Sequence, residues 1–241
     1  MSIFIITNVK GGTGKSFIAS HFIANYILNK KKQKNVKLYE FDEYGRTSEN
    51  FLLNSKAITS KVVSKNEMFN AMLDISFYHM TEDIIIDIGP KGILESFIYF
   101  AARIIFPYEK DIIFIIPYSN DGIVSLLYTI DKIQVNTKLP NIAIVLNKIP
   151  KKINSLEKAK TYAFEIYGNQ EYALPSHPKK NELDKYIKGY FPDYSYEDIL
   201  YPKLEKKSLV DYIDNPMVDN ILNECKDFYT EIEKLEKQSK Q

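Results

Sequence analysis

Lys10-Gly11-Gly12-Thr13-Gly14-Lys15-Ser16 is the stretch whose reading decides the rest of the chain. It follows an apolar run, Ile3-Phe4-Ile5-Ile6, and precedes Phe17-Ile18-Ala19-Ser20-His21-Phe22-Ile23, whose apolar positions suit a helix. A strand, a glycine-rich turn and a helix opening on Lys-Ser together describe a loop built to cradle phosphate. Consecutive glycines let backbone N–H groups turn inward around phosphate oxygens, and the helix N-terminus adds positive potential. Lys15 is placed to reach the terminal phosphates of a nucleotide, and the Ser16 hydroxyl to ligate Mg²⁺.

The spacing departs from the usual G-x-x-x-x-G-K-[ST]. Val9 stands where the first glycine would be, and an additional lysine, Lys10, follows it. This K-G-G-x-G-K-[ST] form resembles the deviant Walker A motif of the ParA/MinD family of ATPases. The resemblance implies ATP and Mg²⁺ as cofactors, with Gly11, Gly12, Thr13, Gly14, Lys15, Ser16 and Phe17 around the phosphates. It also implies a homodimer that closes on ATP, in which Lys10 of each subunit contacts the nucleotide held by the other. The plainer reading, a tight turn with a solvated lysine, leaves the agreement of residue type, order and flanks unexplained.

Composition sets the bounds. At 241 residues the chain fits one α/β domain, residues 1–241, with a substantial core. Lys and Arg number 32 against 31 Asp and Glu, so no global attraction to nucleic acid is implied and any such contact needs a local patch. A single cysteine, Cys225, excludes an intrachain disulfide, fits a reducing cytoplasm, and argues against the nitrogenase-type iron protein, whose subunits each supply two cysteines. His21, His79 and His177 have no metal-ligand spacing with Cys225, which argues against zinc. The first strand begins almost at Met1, leaving no room for a signal, and no apolar run approaches the roughly 20 residues that span a bilayer. The expectation is a cytoplasmic protein without integral membrane contact.

Taken in order, the first helix runs from Lys15 to about Asn29, and Lys30-Lys31-Lys32-Gln33-Lys34 reads as a solvated cap facing the helix dipole. The second strand, Val36 to Asp42, ends in acids. Glu40 and Asp42 share one side of it, at the edge where phosphates would sit. The family carries D-x-D here; Asp42 matches the aspartate linked to hydrolysis, whereas Glu40 lengthens the other arm and Tyr44 replaces a common Gln. Glu40 is a candidate for holding a Mg²⁺ water. Residues 47–82 are expected to be helical, with the Met and Phe positions of Glu67–Leu73 in the core.

Asp83-Ile84-Ile85-Ile86-Asp87-Ile88-Gly89-Pro90 reads as a buried parallel strand tipped by a carboxylate. It has the Walker B arrangement, with Asp87 holding a Mg²⁺-bound water, and Gly89-Pro90 resembles the switch II turn. A helix over Ile93–Phe106, a strand over Asp111–Pro117, a helix from Asp121 to Val135 and a strand over Ile142–Lys148 complete the recognisable half. Ile123, Leu126, Leu127, Ile130 and Ile133 are read as core. Five apolar strands alternating with helices give an α/β fold of the P-loop NTPase class, a mostly parallel twisted sheet with helices on both faces. By resemblance, Asn147 hydrogen-bonds the base. The Asn147-Lys148 pair could also suggest guanine, but Pro150 stands where a guanine-reading Asp would be, so ATP is favoured.

Beyond Pro150 the chain is more polar and Tyr-rich. Helices are expected over Leu156–Tyr167 and Leu183–Tyr190, an insertion over 173–196, and a late strand, Glu197–Pro202, with Pro202 against the base as in the family. A terminal helix is expected over Pro216–Gln238, with Val218, Ile221, Leu222, Phe228, Ile232 and Leu235 packed on the sheet. Its end lacks the basic and strongly apolar faces of a MinD-like membrane tail. With one P-loop only, a tandem arsenite-pump ATPase is excluded, and the scattered tyrosines disfavour a tyrosine autokinase. The reading is therefore a ParA-type partition ATPase, with non-specific DNA and a ParB-like adaptor as partners. Lysines 151, 152, 179, 180, 206 and 207 are weak support for DNA. A MinD-like positioning factor and a nucleotide-binding regulator with little turnover are the alternatives.

Overall fold

The computed structural model describes residues 1–42, 48, 52–89, 91–119, 123–138, 140–166, 183–193, 208–212 and 216–239. Seven strands form one sheet: β1 (Ile3–Thr7), β2 (Val36–Phe41), β3 (Ile58–Val63), β4 (Ile84–Ile88), β5 (Ile112–Tyr118), β6 (Asn141–Ile149) and β7 (Ile187–Pro192). Their order is β3-β2-β4-β1-β5-β6-β7, and every pairing is parallel. The central strands are near-continuous Ile, Phe and Val because both faces of a parallel sheet are covered. Ile5, Ile86 and Phe114 face one apolar layer, and Phe4, Ile85 and Ile113 the other. The order reverses around β1, which puts the loop after β1 at a topological switch point, where doubly wound sheets take their ligands.

Helix α1 occupies residues 15–30. It is α-helical over Lys15–Phe17 and π-type over Ile18–Ile23 and Tyr26–Lys30, where the Ala24 and Lys31 N–H groups bond five residues back, to Ala19 and Tyr26. α2 (Met68–Tyr78), α3 (Lys91–Ile104), α4 (Ile123–Asn136) and α5 (Leu156–Ile166) cover one face of the sheet. α1, α6 (Pro216–Glu224) and α7 (Lys226–Ser239) cover the other.

Four expectations are corrected. Residues 47–82 are not helical throughout, because Ile58–Val63 forms edge strand β3. Only its end residues, Ile58 and Val63, are buried among polar neighbours, so the run carries too little apolar signal to read as a strand. Within α2, Met68 and Met72 are core as expected, but Phe69 and Leu73 are about half exposed and join the exposed Phe77 on an outward stripe. The expected helix over Leu183–Tyr190 is largely strand β7, whose side chains alternate buried and half-buried. Gly189 lets it approach α7, since a Cβ there would sit 2.9 Å from the Phe228 ring. The single terminal helix is broken at Cys225, whose N–H bonds only three residues back to Leu222. Its apolar stripe packs on the sheet as expected: Phe228, Ile232 and Leu235 are buried. Beyond β7, the expected insertion (173–182, 194–196) and the expected strand Glu197–Pro202 lie outside the described residues.

Candidate phosphate-binding site

The loop between β1 and α1 is shaped by its own backbone. Gly12 and Gly14 have φ of 74° and 92°, conformations that an L side chain resists. At Gly14 the space is closed as well, because a Cβ would collide with the Asn147 side chain. The Ile18 N–H bonds the Gly14 carbonyl at 2.9 Å, which starts α1 immediately after the turn. Two residues that sequence reasoning passed over fix the loop's entry. Buried Asn8 donates from Nδ2 to the Pro117 carbonyl on β5 at 2.8 Å, and its Oδ1 accepts the Lys10 N–H at 3.0 Å. The Thr129 hydroxyl on α4 accepts the Val9 N–H at 3.2 Å.

Lys15 is 8% exposed, and its ammonium donates to the Lys10 carbonyl at 2.9 Å. Burial lowers its pKa, while the carboxylates of Asp87 and Asp42 act to raise it. Asp87 is the penultimate residue of β4, beside β1, in register with Ile6 on one side and Glu40 on the other. Burial raises its pKa, opposed by the Ser16 and Ser48 hydroxyls and the Lys15 charge. Ser48 donates to Asp87 Oδ2 at 2.7 Å, and the Ser48 N–H is accepted by Glu40 Oε1 at 3.0 Å. Glu40 is 1% exposed, so one of its carboxylate oxygens is committed to backbone rather than to solvent. Asp42, just past β2, is half-buried and close enough to act on both Lys15 and Asp87. Gly89 keeps that approach open, since a Cβ there would lie 2.9 Å from the Phe41 carbonyl and 3.2 Å from Asp42 Cγ.

Asp87 Oδ1 is buried and has no hydrogen-bond partner among the described residues. An orphaned carboxylate oxygen of this kind is costly without a cation or its water. Beside the Ser16 hydroxyl, it fits a hard, oxygen-seeking ion that retains water, as Mg²⁺ does. Among the described residues, no three His, Cys, Asp or Glu side chains form a protein-only metal cluster.

At the tip of β6, Asn147 is buried and its Nδ2 donates to the Thr13 carbonyl at 2.8 Å. Lys148 follows at φ 60°, a left-handed conformation uncommon outside glycine. Lys10 is exposed at the start of the loop. Pro202, Tyr44, Pro90 and lysines 179, 180, 206 and 207 lie outside the described residues. Ser48 was invisible in sequence because no pattern marks a lone serine that reaches its partner through the fold.

Residues 4–178 match the family described as the CobQ/CobB/MinD/ParA nucleotide binding domain. The chain belongs to that family. Its fold resembles a protein assigned to plasmid partition in Borrelia burgdorferi B31, crystallised bound to AMPPNP. That match has a TM-score of 0.58 and 14% identity, covering 95% of this chain and 98% of that one. A second plasmid partition protein structure from Borrelia burgdorferi has a TM-score of 0.50 and 16% identity, covering 97% and 98%. At these identities the likeness concerns the fold. No curated protein matches the sequence. Membership in the CobQ/CobB/MinD/ParA family makes residues 4–178 a nucleotide binding domain. No described helix is long and apolar enough to cross a membrane.

Proposed function

We propose that this chain is a ParA-type ATPase that dimerises on ATP and Mg²⁺ and gates non-specific DNA binding by nucleotide state. The observation that carries it is the convergence of Lys15, Asp42 and Asp87 on the loop that begins at exposed Lys10. When bound, ATP with Mg²⁺ supplies the scissile phosphoanhydride and the charge that the protein groups complement.

The residues divide the work by position. The N–H groups of Gly11–Ser16 bind phosphate oxygens, and Lys15 neutralises charge that builds as the bond breaks. The Ser16 hydroxyl would ligate Mg²⁺ and Asp87 Oδ1 would hold its water, the ion supplying charge against the phosphates. Asp42 orients the attacking water. Lys10 contacts the nucleotide of a second subunit, so that a complete site needs two chains. By family resemblance, Asn147 and Pro202 would contact the base. A ParB-like adaptor stimulates slow hydrolysis, and Lys151 and Lys152, both exposed just beyond β6, belong to the DNA surface.

A membrane-attached mode is less well supported, because the apolar face of α7 (Phe228, Ile232, Leu235) is already buried on the sheet. The test is retention of the purified protein on DNA with ATP, ADP or no nucleotide, alongside phosphate release. The expected result is retention with ATP only, abolished by Lys10→Ala and prolonged by Asp42→Ala. It should fall steeply with added salt, as phosphate contacts require. No retention at low salt in any form, with ATP still driving dimerisation, would remove DNA from the proposal.

A further inference from the structure

The end of β6 is distorted in a way that regular strand geometry does not need. Leu146 pairs with Tyr190 and Ile149 with Pro192, so two residues, Asn147 and Lys148, stand opposite a single residue, Phe191. That is a β-bulge, a device that bends a strand and re-aims a side chain. The opposing residue is fixed, because the Phe191 ring stacks on Phe22 of α1 with centroids 4.2 Å apart. The extra residue is therefore absorbed by β6, with Lys148 in the left-handed region at φ 60°. Strained backbone at a non-glycine residue persists only where its surroundings over-determine it. Beyond the bulge the ladder is re-pinned, since the Asp193 N–H bonds the Ile149 carbonyl at 2.6 Å.

The bulge aims Asn147 at the phosphate loop. Its Nδ2 donates to the Thr13 carbonyl at 2.8 Å and lies where a Cβ on Gly14 would be. Thr13 and Gly14 are the residues at which the loop turns into α1, and Gly14 has the largest positive φ among the described residues, 92°. A contact to that carbonyl fixes the peptide that links Thr13 to Gly14, and with it the direction of the N–H groups that follow. We propose that Asn147, set by the β6 bulge, is a positioning residue of the phosphate loop: it holds the Thr13–Gly14 peptide in the phosphate-binding orientation and couples the base end of the site to the phosphate end. This rests on the nucleotide reading above and differs from a base contact, because the partner is loop backbone.

The two roles separate with a ligand that has no base. Binding of ATP and of inorganic tripolyphosphate, each with Mg²⁺, is measured calorimetrically for the wild type, Asn147→Ala, Lys148→Gly and Lys148→Val. Loss of one buried hydrogen bond that orients the loop corresponds to about a tenfold loss of affinity. Asn147→Ala is expected to weaken both ligands, tripolyphosphate by about tenfold and ATP by at least as much. Lys148→Gly accepts the left-handed backbone and should leave both within about twofold of wild type. Lys148→Val resists it and should reproduce the Asn147→Ala loss for both ligands, without removing the amide. Asn147→Ala that weakens ATP but not tripolyphosphate assigns Asn147 to the base alone and overturns the inference, as does no change in either ligand. Wild-type protein that binds neither ligand overturns the nucleotide reading itself, and this inference with it.

Discussion

The two ends of β4 carry opposite kinds of polar cluster. Asp83 precedes the strand and Asp87 is its last residue but one, each beside a lysine and a glutamate. At the Asp83 end the groups are matched. Lys31 bridges Asp83 at 2.7 Å and Glu236 at 2.6 Å, Tyr26 donates to the other oxygen of Glu236 at 2.5 Å, and the Ser2 backbone N–H donates to Asp83 at 2.6 Å. The interactions close on themselves and tie α7 to α1 and to the first residues of the chain. Lys31 and the hydroxyls of Ser2 and Tyr26 hold the Glu236 pKa down, although burial acts to raise it.

At the Asp87 end the balance is left incomplete. Burial wins there: the Asp87 pKa is raised, the Lys15 pKa is lowered, and Asp87 Oδ1 has no partner among the described residues. A buried polar group left unsatisfied destabilises the fold unless a ligand completes it. The contrast distinguishes a structural clasp from a site. Charge alone does not, since both ends have it.

The largest effect is expected from the loop. Gly14→Ala forces a β-carbon into φ 92° and onto Asn147, and should lower ATP affinity at least about a hundredfold in calorimetry. Removing Asn147 as well should not restore binding, because the dihedral remains strained. Detectable recovery in the double variant would place the fault in the clash alone.

Next in size is the closed clasp. Glu236→Leu removes the partner of Lys31, Tyr26 and Ser2, and should cost about 2 kcal/mol in denaturant unfolding, since the pair is partly exposed. Asp87→Asn at the open end should cost less than about 1 kcal/mol or even stabilise, since it removes a desolvated charge while leaving the Ser48 bond an acceptor. Equal losses at the two ends would erase the contrast.

How far the site could be read from sequence follows the same physics. The β1–α1 turn and the carboxylates near the ends of β2 and β4 were legible as neighbours because the residues of the proposed phosphate site sit at fixed spacing in the sequence. The central strands were legible because burial on both faces makes Ile and Phe runs. β3 and β7 were missed at the edges of the sheet, where burial alternates or is confined to strand ends and a residue such as Lys61 or Lys188 can sit in a strand. Asn8, Ser48 and Thr129 were missed because their partners, Pro117, Asp87 and Val9, are distant in sequence. Asn147 was placed at the site by family resemblance, near the end of β6, but its bond to Thr13 depends on a bulge that has no sequence mark.

The effect that vanishes at neutral pH is a pH dependence centred on α1. His21 is buried, with its pKa lowered by burial to about 3, and its Nδ1 accepts the Leu209 N–H at 3.3 Å. The unfolded chain takes up this proton below its ordinary pKa of about 6.5, while the folded chain resists it until about 3. The neutral ring's contribution is therefore whole above pH 6.5 and is lost progressively as the pH falls toward 3. His21→Asn, which cannot titrate, should flatten the slope of unfolding free energy across that window. An unchanged slope would assign it to carboxylates instead.

The most direct test of the open end of β4 is thermal unfolding of the wild type and Asp87→Asn, each with ATP and Mg²⁺, with ATP and EDTA, and with no ligand. A ligand that binds only the folded state raises the melting temperature by mass action. The account predicts a rise with ATP and Mg²⁺ in the wild type, a smaller one with EDTA, and in Asp87→Asn no difference between Mg²⁺ and EDTA. A wild-type melting temperature indifferent to Mg²⁺, or an Asp87→Asn protein that keeps the full Mg²⁺-dependent rise, would contradict it.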